Sequence, residues 1–464
     1  MAGMARGVAM GTGNRVGSSE AQPGGMLVSG WRRRPKGPAA VWGLVLLFVV
    51  GGGGRAEAQP PGMPAAEPAP GAADGPQTRA EAIEQARREK AALLWPEHES
   101  PLVRQVNGLL ERGLKEGLES GEGASGPQFV LGGMRSGQGF SAGVGYARRD
   151  LWRERLAYRA TVRGTVNLAY MLDADVDFKG LRSNRSFLNW YSKFESSPRM
   201  DYYGTGTNSN EEARTSYLYE DFTTDLNFGF EPVPGFRLGL TGGFMTTHVG
   251  RGKSGGVPSI EEVFDDSTAK GLNDDPEFLR WGTFLAFDHR DLQSGPRSGG
   301  FYGARFRQYS DIDLNKFSFR QSEFEAQYYI PYFNKSRVIA LRASAVLSFR
   351  DSSQQVPFYL QPTLGGNDDL RGFERYRFTD DHAVFVSVEH RWHAFTGLDT
   401  ALFFDTGKVT SEKKRLNFSD LKYSGGIGFR VRLLDAVVSR IDFAVGREGF
   451  RWMWTFSDIN KPQW

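Results

Sequence analysis

The sequence predicts an all-β transmembrane protein, a 16-stranded antiparallel outer-membrane β-barrel with a short N-terminal helical segment. Three observations predict it. From Pro127 onward, short segments alternate apolar and polar positions and are separated by Gly, Pro, Asp and Asn clusters, as strands with one lipid-facing and one lumen-facing side require. Beyond residue 58 no apolar stretch reaches the roughly 20 residues of a membrane-crossing helix, and the mean hydropathy is −0.44. The amino end has the make-up of an export signal.

In that amino end Arg32, Arg33, Arg34 and Lys36 precede a 12-residue apolar run, 39–50, followed by glycines 51–54 and by Ala56-Glu57-Ala58 before Gln59. Basic, apolar, then small-x-small describes a secretory signal peptide over 1–58, removed after Ala58. The apolar run is too short for ~30 Å of hydrocarbon. General secretion is favoured over a twin-arginine route because barrels cross the inner membrane unfolded, and Met26 is an alternative start. The expected location is the outer membrane of a diderm bacterium. The net charge of +3 arises from 57 basic against 54 acidic residues, and much of the excess lies in the targeting region, so no nucleic-acid partner is expected. With no cysteine in 464 residues, neither disulfides nor thiol chemistry is available.

Residues 59–78 are rich in Pro, Ala and Gly, a linker composition. Over 79–126 a short periplasmic helical segment is expected. Arg79 to Trp95 is helix-forming and stops at Pro96, and Leu102, Val106, Leu109 and Leu110 recur at helical spacing before Gly117 and Gly121. Such a piece suits plugging the lumen, docking on the barrel mouth or tethering, and the sequence does not choose among these.

The barrel is expected over 127–464. Its strands read as 127–134, 139–149, 154–167, 169–181, 184–197, 213–229, 235–248, 280–290, 300–311, 317–331, 336–350, 381–393, 397–407, 421–432, 437–447 and 450–457. An even count puts both ends on one side and lets the first and last strands pair, leaving no open edge in lipid. The last strand is the clearest, with Phe450, Trp452, Trp454 and Phe456 on one face and Arg451, Met453 and Thr455 on the other. Two interruptions stand out. Residues 249–279 are polar and Gly-rich, which predicts an exposed surface loop, whereas 351–380 has a composition unlike solvent-facing loops.

This second loop reads Gln361-Pro-Thr-Leu-Gly365-Gly366-Asn-Asp-Asp-Leu370-Arg371-Gly372-Phe373, and the thirteenth strand carries Phe403-Phe404-Asp405-Thr406-Gly407. Both stretches resemble signatures of the BamA/TamA family of outer-membrane barrels (bacterial surface antigen superfamily). The resemblance implies that the loop after strand eleven folds back into the lumen and that its arginine, Arg371, meets the acidic residue of a Phe-x-Asp-x-Gly strand motif. Phe403, Asp405 and Gly407 match that motif position for position. Tyr203 to Gly206, Asp288 to Asp291 with Pro296 and Gly299-Gly300, and Gly137 to Tyr146 also resemble the family, so the matches span nearly all of 127–457.

Alternation supports the same placement. With Leu398, Thr400, Leu402 and Phe404 facing lipid, Phe403, Asp405 and Gly407 face the lumen; with Val384, Val386 and Val388 outward, Phe385, Ser387, Glu389 and Arg391 point in. A loop arginine then finds Asp405, a second acid in Glu389 and a ring face in Phe403. The expected lumen site is therefore Gly365, Gly366, Leu370, Arg371, Gly372 and Phe373 on the loop, with Phe403, Asp405, Gly407 and Glu389 on the wall.

The resemblance implies insertion or translocation of polypeptides at the outer membrane through weakened pairing of the first and last strands. Outer-membrane lipid and unfolded or exported polypeptide are the implied partners. The chain departs from the family where periplasmic polypeptide-transport-associated domains usually stand, since only 59–126 precedes the barrel, and a passive pore or structural barrel is the alternative. No catalytic, metal or cofactor site is expected. Gly139 to Gly143 spells Gly-x-Ser-x-Gly, but Ser141 falls within a strand with no helix after it. Gly250 to Ser254 lacks the first glycine of a phosphate loop, Thr247 standing there. His390 and His393, three apart on a strand, point to opposite faces.

Overall fold

The computed structural model describes residues 125–456 except 133, 181–184 and 434–435. The expected signal peptide and linker, and the expected helical segment up to residue 124, lie outside the described residues, and Gly126 at that segment's end already belongs to a strand.

Sixteen antiparallel strands form one sheet in chain order. The first eight are β1 (Gly126–Leu131), β2 (Ser141–Leu151), β3 (Leu156–Thr165), β4 (Tyr170–Lys179), β5 (Ser186–Tyr202), β6 (Thr215–Val233), β7 (Phe236–Arg251) and β8 (Glu277–Asp288). The rest are β9 (Gly299–Asp311), β10 (Phe319–Tyr332), β11 (Arg337–Phe349), β12 (His382–Phe395), β13 (Leu398–Thr410), β14 (Lys422–Leu433), β15 (Ala436–Gly446) and β16 (Gly449–Phe456). No helix among the described residues is long and apolar enough to cross a membrane.

Alternation sorts the side chains as a membrane barrel needs. Val386, Val388, Leu402, Phe404, Trp452 and Trp454 are exposed on the outer face, while Phe385, Ser387, Glu389, Phe403 and Asp405 are buried on the inner one. A one-residue slip would drive the carboxylates into lipid, so the pattern itself holds the register. At one end of the barrel the connections are tight. Gly235 turns β6 into β7 at φ +81, where a Cβ would collide with the Asp288 carbonyl.

Three features differ from the sequence expectation. Strands β5, β6 and β7 extend past 197, 229 and 248 to Tyr202, Val233 and Arg251. The segment 249–279 is not a plain exposed loop: β7 and β8 take both of its ends, and Ile260, Ala269 and Leu272 pack on Met200, Tyr202, Tyr217 and Tyr219. Its polarity is satisfied locally, as where Asp266 and Asp274 pair with Lys316, so a few apolar anchors suffice to fold it down. Third, β1 pairs with β2 and β16 with β15, yet among the described residues no ladder joins β1 to β16. Both edge strands are short and bounded by glycines in left-handed backbone, Gly126 and Gly132 for β1 and Gly449 for β16, which limits how far a ladder extends.

Candidate functional site: the lumen loop and its wall

The connection from β11 to β12, residues 350–381, folds into the barrel. Its first anchor is Phe358, whose ring centroid lies 4.8 Å from Tyr202 and 5.0 Å from Tyr217. Thr363–Leu364 and Phe378–Thr379 then pair as a two-residue ladder, and the chain between them forms a tip. Gly365 (φ +121) and Gly366 (φ +108) open that tip. A Cβ on Gly365 would strike the Glu374 carbonyl on the returning arm, so glycine is needed for conformation and space alike. Leu364, Leu370, Phe373 and Phe378 bury themselves against Ala383, Phe385 and Val409. At Gly407 the wall carries no side chain, which leaves room for Leu364.

This packing delivers Arg371 to the wall. Its Nε donates to Asp405 Oδ2 and its Nη2 to Asp405 Oδ1, both at 2.8 Å. Nη1 donates to Glu389 Oε2 at 2.9 Å and Nη2 to Ser387 Oγ at 3.3 Å, and the guanidinium stacks 3.4 Å from the Phe403 ring centroid. A planar, five-donor cation is the side chain that meets two carboxylates and a ring face at once. Burial opposes the charge on Arg371, but its bonds to Asp405 and the nearby Glu389 and Asp442 outweigh that and hold its pKa above the usual arginine value.

The arginine belongs to a wider network. Arg430 bridges Glu389 Oε2 at 3.0 Å and Asp442 Oδ1 at 2.6 Å. Arg391 binds Glu389 Oε1 at 2.7 Å, and Arg440 lies 3.0 Å from Asp442 Oδ2. Each carboxylate therefore sees at least one cation, which is the condition for burying them. Next to Arg371, a Cβ on Gly372 would stand 2.5 Å from Ser424 Cβ and 2.7 Å from the backbone nitrogen of Gly446. Loop and wall meet there backbone to backbone.

All ten residues singled out from the sequence sit at this contact except Gly365 and Gly366, which shape the loop behind it. Other participants were not singled out. Arg377 is buried and bonds to both oxygens of Glu448, at 3.0 and 2.9 Å, to the Ser209 hydroxyl at 2.7 Å, and faces the rings of Tyr203 and Phe378. Glu374 binds Arg451 of β16. On the other side, the Tyr376 hydroxyl donates to the Ser136 carbonyl at 3.2 Å, and Gly137 lies against Arg375, both in the β1–β2 connection. That connection is tied down by Arg135, 3.3 Å from Glu195, 3.1 Å from Asp221 and over the Tyr219 ring. Inward parity was the available signal for Arg430 and Asp442; nothing in spacing marks Arg377 or Arg135, whose partners are 71 and 86 positions away.

Asp369, on the tip, accepts backbone N–H bonds from Gly365 and Leu370. Burial pushes its carboxyl up to about 7 in spite of those bonds. Burial likewise raises Asp380, to about 6.

Against known proteins, residues 159–448 match the Omp85 superfamily domain. Similar solved structures include BamA from Haemophilus ducreyi lacking POTRA domains 1-3, with a TM-score of 0.53 at 14% identity over 72% of this chain and 70% of that one. CdiB from Escherichia coli follows with a TM-score of 0.46 at 12% identity over 71% and 61%. No curated protein sequence matches the chain. The matched domain covers well over half of the chain and lies on the sixteen-stranded sheet with its inward-folded loop, and the chain belongs to the Omp85 superfamily.

Proposed function

We propose that this barrel inserts or moves polypeptide at the outer membrane of a diderm bacterium, using the interval between β1 and β16 as its working edge. On this reading the chain arrives by a cleaved signal peptide, and its partners are outer-membrane lipid and unfolded or exported polypeptide.

One observation carries the reading: the lumen loop touches both sides of that interval while, among the described residues, no ladder crosses it. On one side Gly372 abuts Gly446 of β15, Arg377 binds Glu448 in the β15–β16 turn and Glu374 binds Arg451 of β16. On the other, Tyr376 and Arg375 meet Ser136 and Gly137 just after β1. Among the described residues the edges are thus held by a clasp of side chains on a loop and not by continuous backbone pairing. A clasp opens by breaking a few contacts, whereas a ladder must be broken along its length. An exposed edge then offers unpaired N–H and C=O groups to an incoming strand.

The test is to lock β1 to β16 with a scanned set of cysteine pairs in the naturally cysteine-free chain and to measure insertion of an unfolded barrel substrate into vesicles. Activity lost on oxidation and restored on reduction is expected. Full activity of the locked form would sink the proposal and favour a passive pore, for which large, steady conductance indifferent to loop changes is the mark.

A further inference from the structure

The outer face at the tight-turn mouth carries a cluster that neither the lumen network nor the proposed edge uses. Tyr332, Arg337 and Trp392 are successive cross-strand neighbours on β10, β11 and β12. His390, two residues before Trp392, lies on the same face, its ring stacked 5.8 Å from Tyr332 with Nε2 against the tyrosine hydroxyl, and 5.5 Å from Trp392. The β10–β11 turn completes the group. Phe333, Asn334 and Lys335 all take left-handed backbone, at φ +47, +55 and +62, an uncommon conformation for a phenylalanine. It sets the Phe333 ring 4.9 Å from the Arg337 guanidinium.

Arg337 is exposed and no carboxylate lies within ion-pair distance among the described residues, although its neighbours are paired. Lys335 lies 3.5 Å from Asp291, and both Arg297 and His393 bind Asp399. At the opposite mouth the outward Arg320 also has its acid, Asp351, at 2.8 Å. Arg337 therefore presents unspent donors from a cradle of aromatic rings, at the height where a barrel's aromatic girdle meets lipid headgroups. Tight turns mark the periplasmic mouth of such barrels. A guanidinium offers two parallel N–H groups to a phosphate, and Phe333, Tyr332 and Trp392 offer apolar ring surface beside it.

We propose that Tyr332, Phe333, Arg337, His390 and Trp392 form a binding site for the phosphodiester of an anionic phospholipid in the leaflet at the tight-turn mouth. Arg337 holds the phosphate, His390 lies beside it and the rings flank the glycerol region.

The full chain, refolded in detergent with phosphatidylglycerol or phosphatidylcholine, is examined by native mass spectrometry. Wild-type protein is expected to retain phosphatidylglycerol in preference to phosphatidylcholine. Arg337→Gln should lower that retention roughly tenfold, the loss of one charge-assisted contact, and Arg337→Lys should restore part of it. Arg320→Gln at the other mouth should leave it unchanged. Equal retention by wild type and Arg337→Gln overturns the site. Displacement of the lipid by millimolar inorganic phosphate overturns the lipid assignment, since a free anion would then suffice. Heat-modified mobility on gels shows that each variant is folded.

Discussion

Gly372 of the lumen loop and Gly446 of β15 meet with room for backbone only: a Cβ on Gly372 would lie 2.7 Å from the Gly446 nitrogen, and a Cβ on Gly446 would lie 2.6 Å from the Gly372 carbonyl oxygen. Neither position has a conformational need for glycine that matches this steric one.

Gly372→Val should therefore keep the barrel but lift the loop tip off its wall. The expected result is normal folding in vesicles with rapid protease cleavage within 365–377, and larger, noisier single-channel currents. A variant with wild-type protease resistance would show that the close approach is dispensable.

Arg371→Ala removes one cation from a contact in which Asp405 is fully buried and Glu389 nearly so. Stranding those charges typically costs about 3 to 5 kcal/mol, to be read as a lowered denaturant midpoint in lipid vesicles. Glu389 keeps Arg391 and Arg430, so the greater part of the cost belongs to Asp405. Arg371→Ala combined with Asp405→Ala should be less destabilised than the sum of the single changes.

Docking of the tip is expected to depend on pH through Asp369, with a definite sign. Its folded pKa of about 7 lies above the ordinary aspartate value, so the native state binds the proton more tightly than the unfolded chain. Its contribution is complete below about pH 4 and is lost as pH rises through about 7. Asp380, raised to about 6, acts in the same direction. Loop-opening events in planar bilayers should be more frequent at pH 8 than at pH 5. Asp369→Asn, permanently neutral, should flatten that dependence; a wild-type slope in this variant would assign the effect elsewhere.

At the tight-turn mouth, Arg297 of the β8–β9 connection binds both oxygens of Asp399 on β13 at 2.9 Å, and Ser294 donates to the Val437 carbonyl at 2.8 Å. Arg297→Ala should cost about 1 to 3 kcal/mol, less than Arg371→Ala, because Arg432 and His393 still face Asp399. Equal losses for the two variants would contradict this ordering of the two struts.

Strand number and facing were determined by the sequence, because period-two alternation is a local property and each side chain has only lipid or lumen to face. The same logic brought Phe403, Asp405 and Glu389 to one side of the wall, and glycine pairs with an arginine and a phenylalanine marked the loop. The tertiary structure decided what local patterns do not encode. The extension of β5 and β7 goes with the packing of Tyr202 and Val249 on Ile260, Phe264 and Leu272, the partners of Arg377 and Arg135 come from distant parts of the chain, and whether β1 and β16 pair among the described residues depends on how far two short edge strands approach. Alternation says which way a residue points; what it meets there depends on barrel closure and on loops folding back across the lumen, contacts made through space between segments with no fixed spacing along the chain.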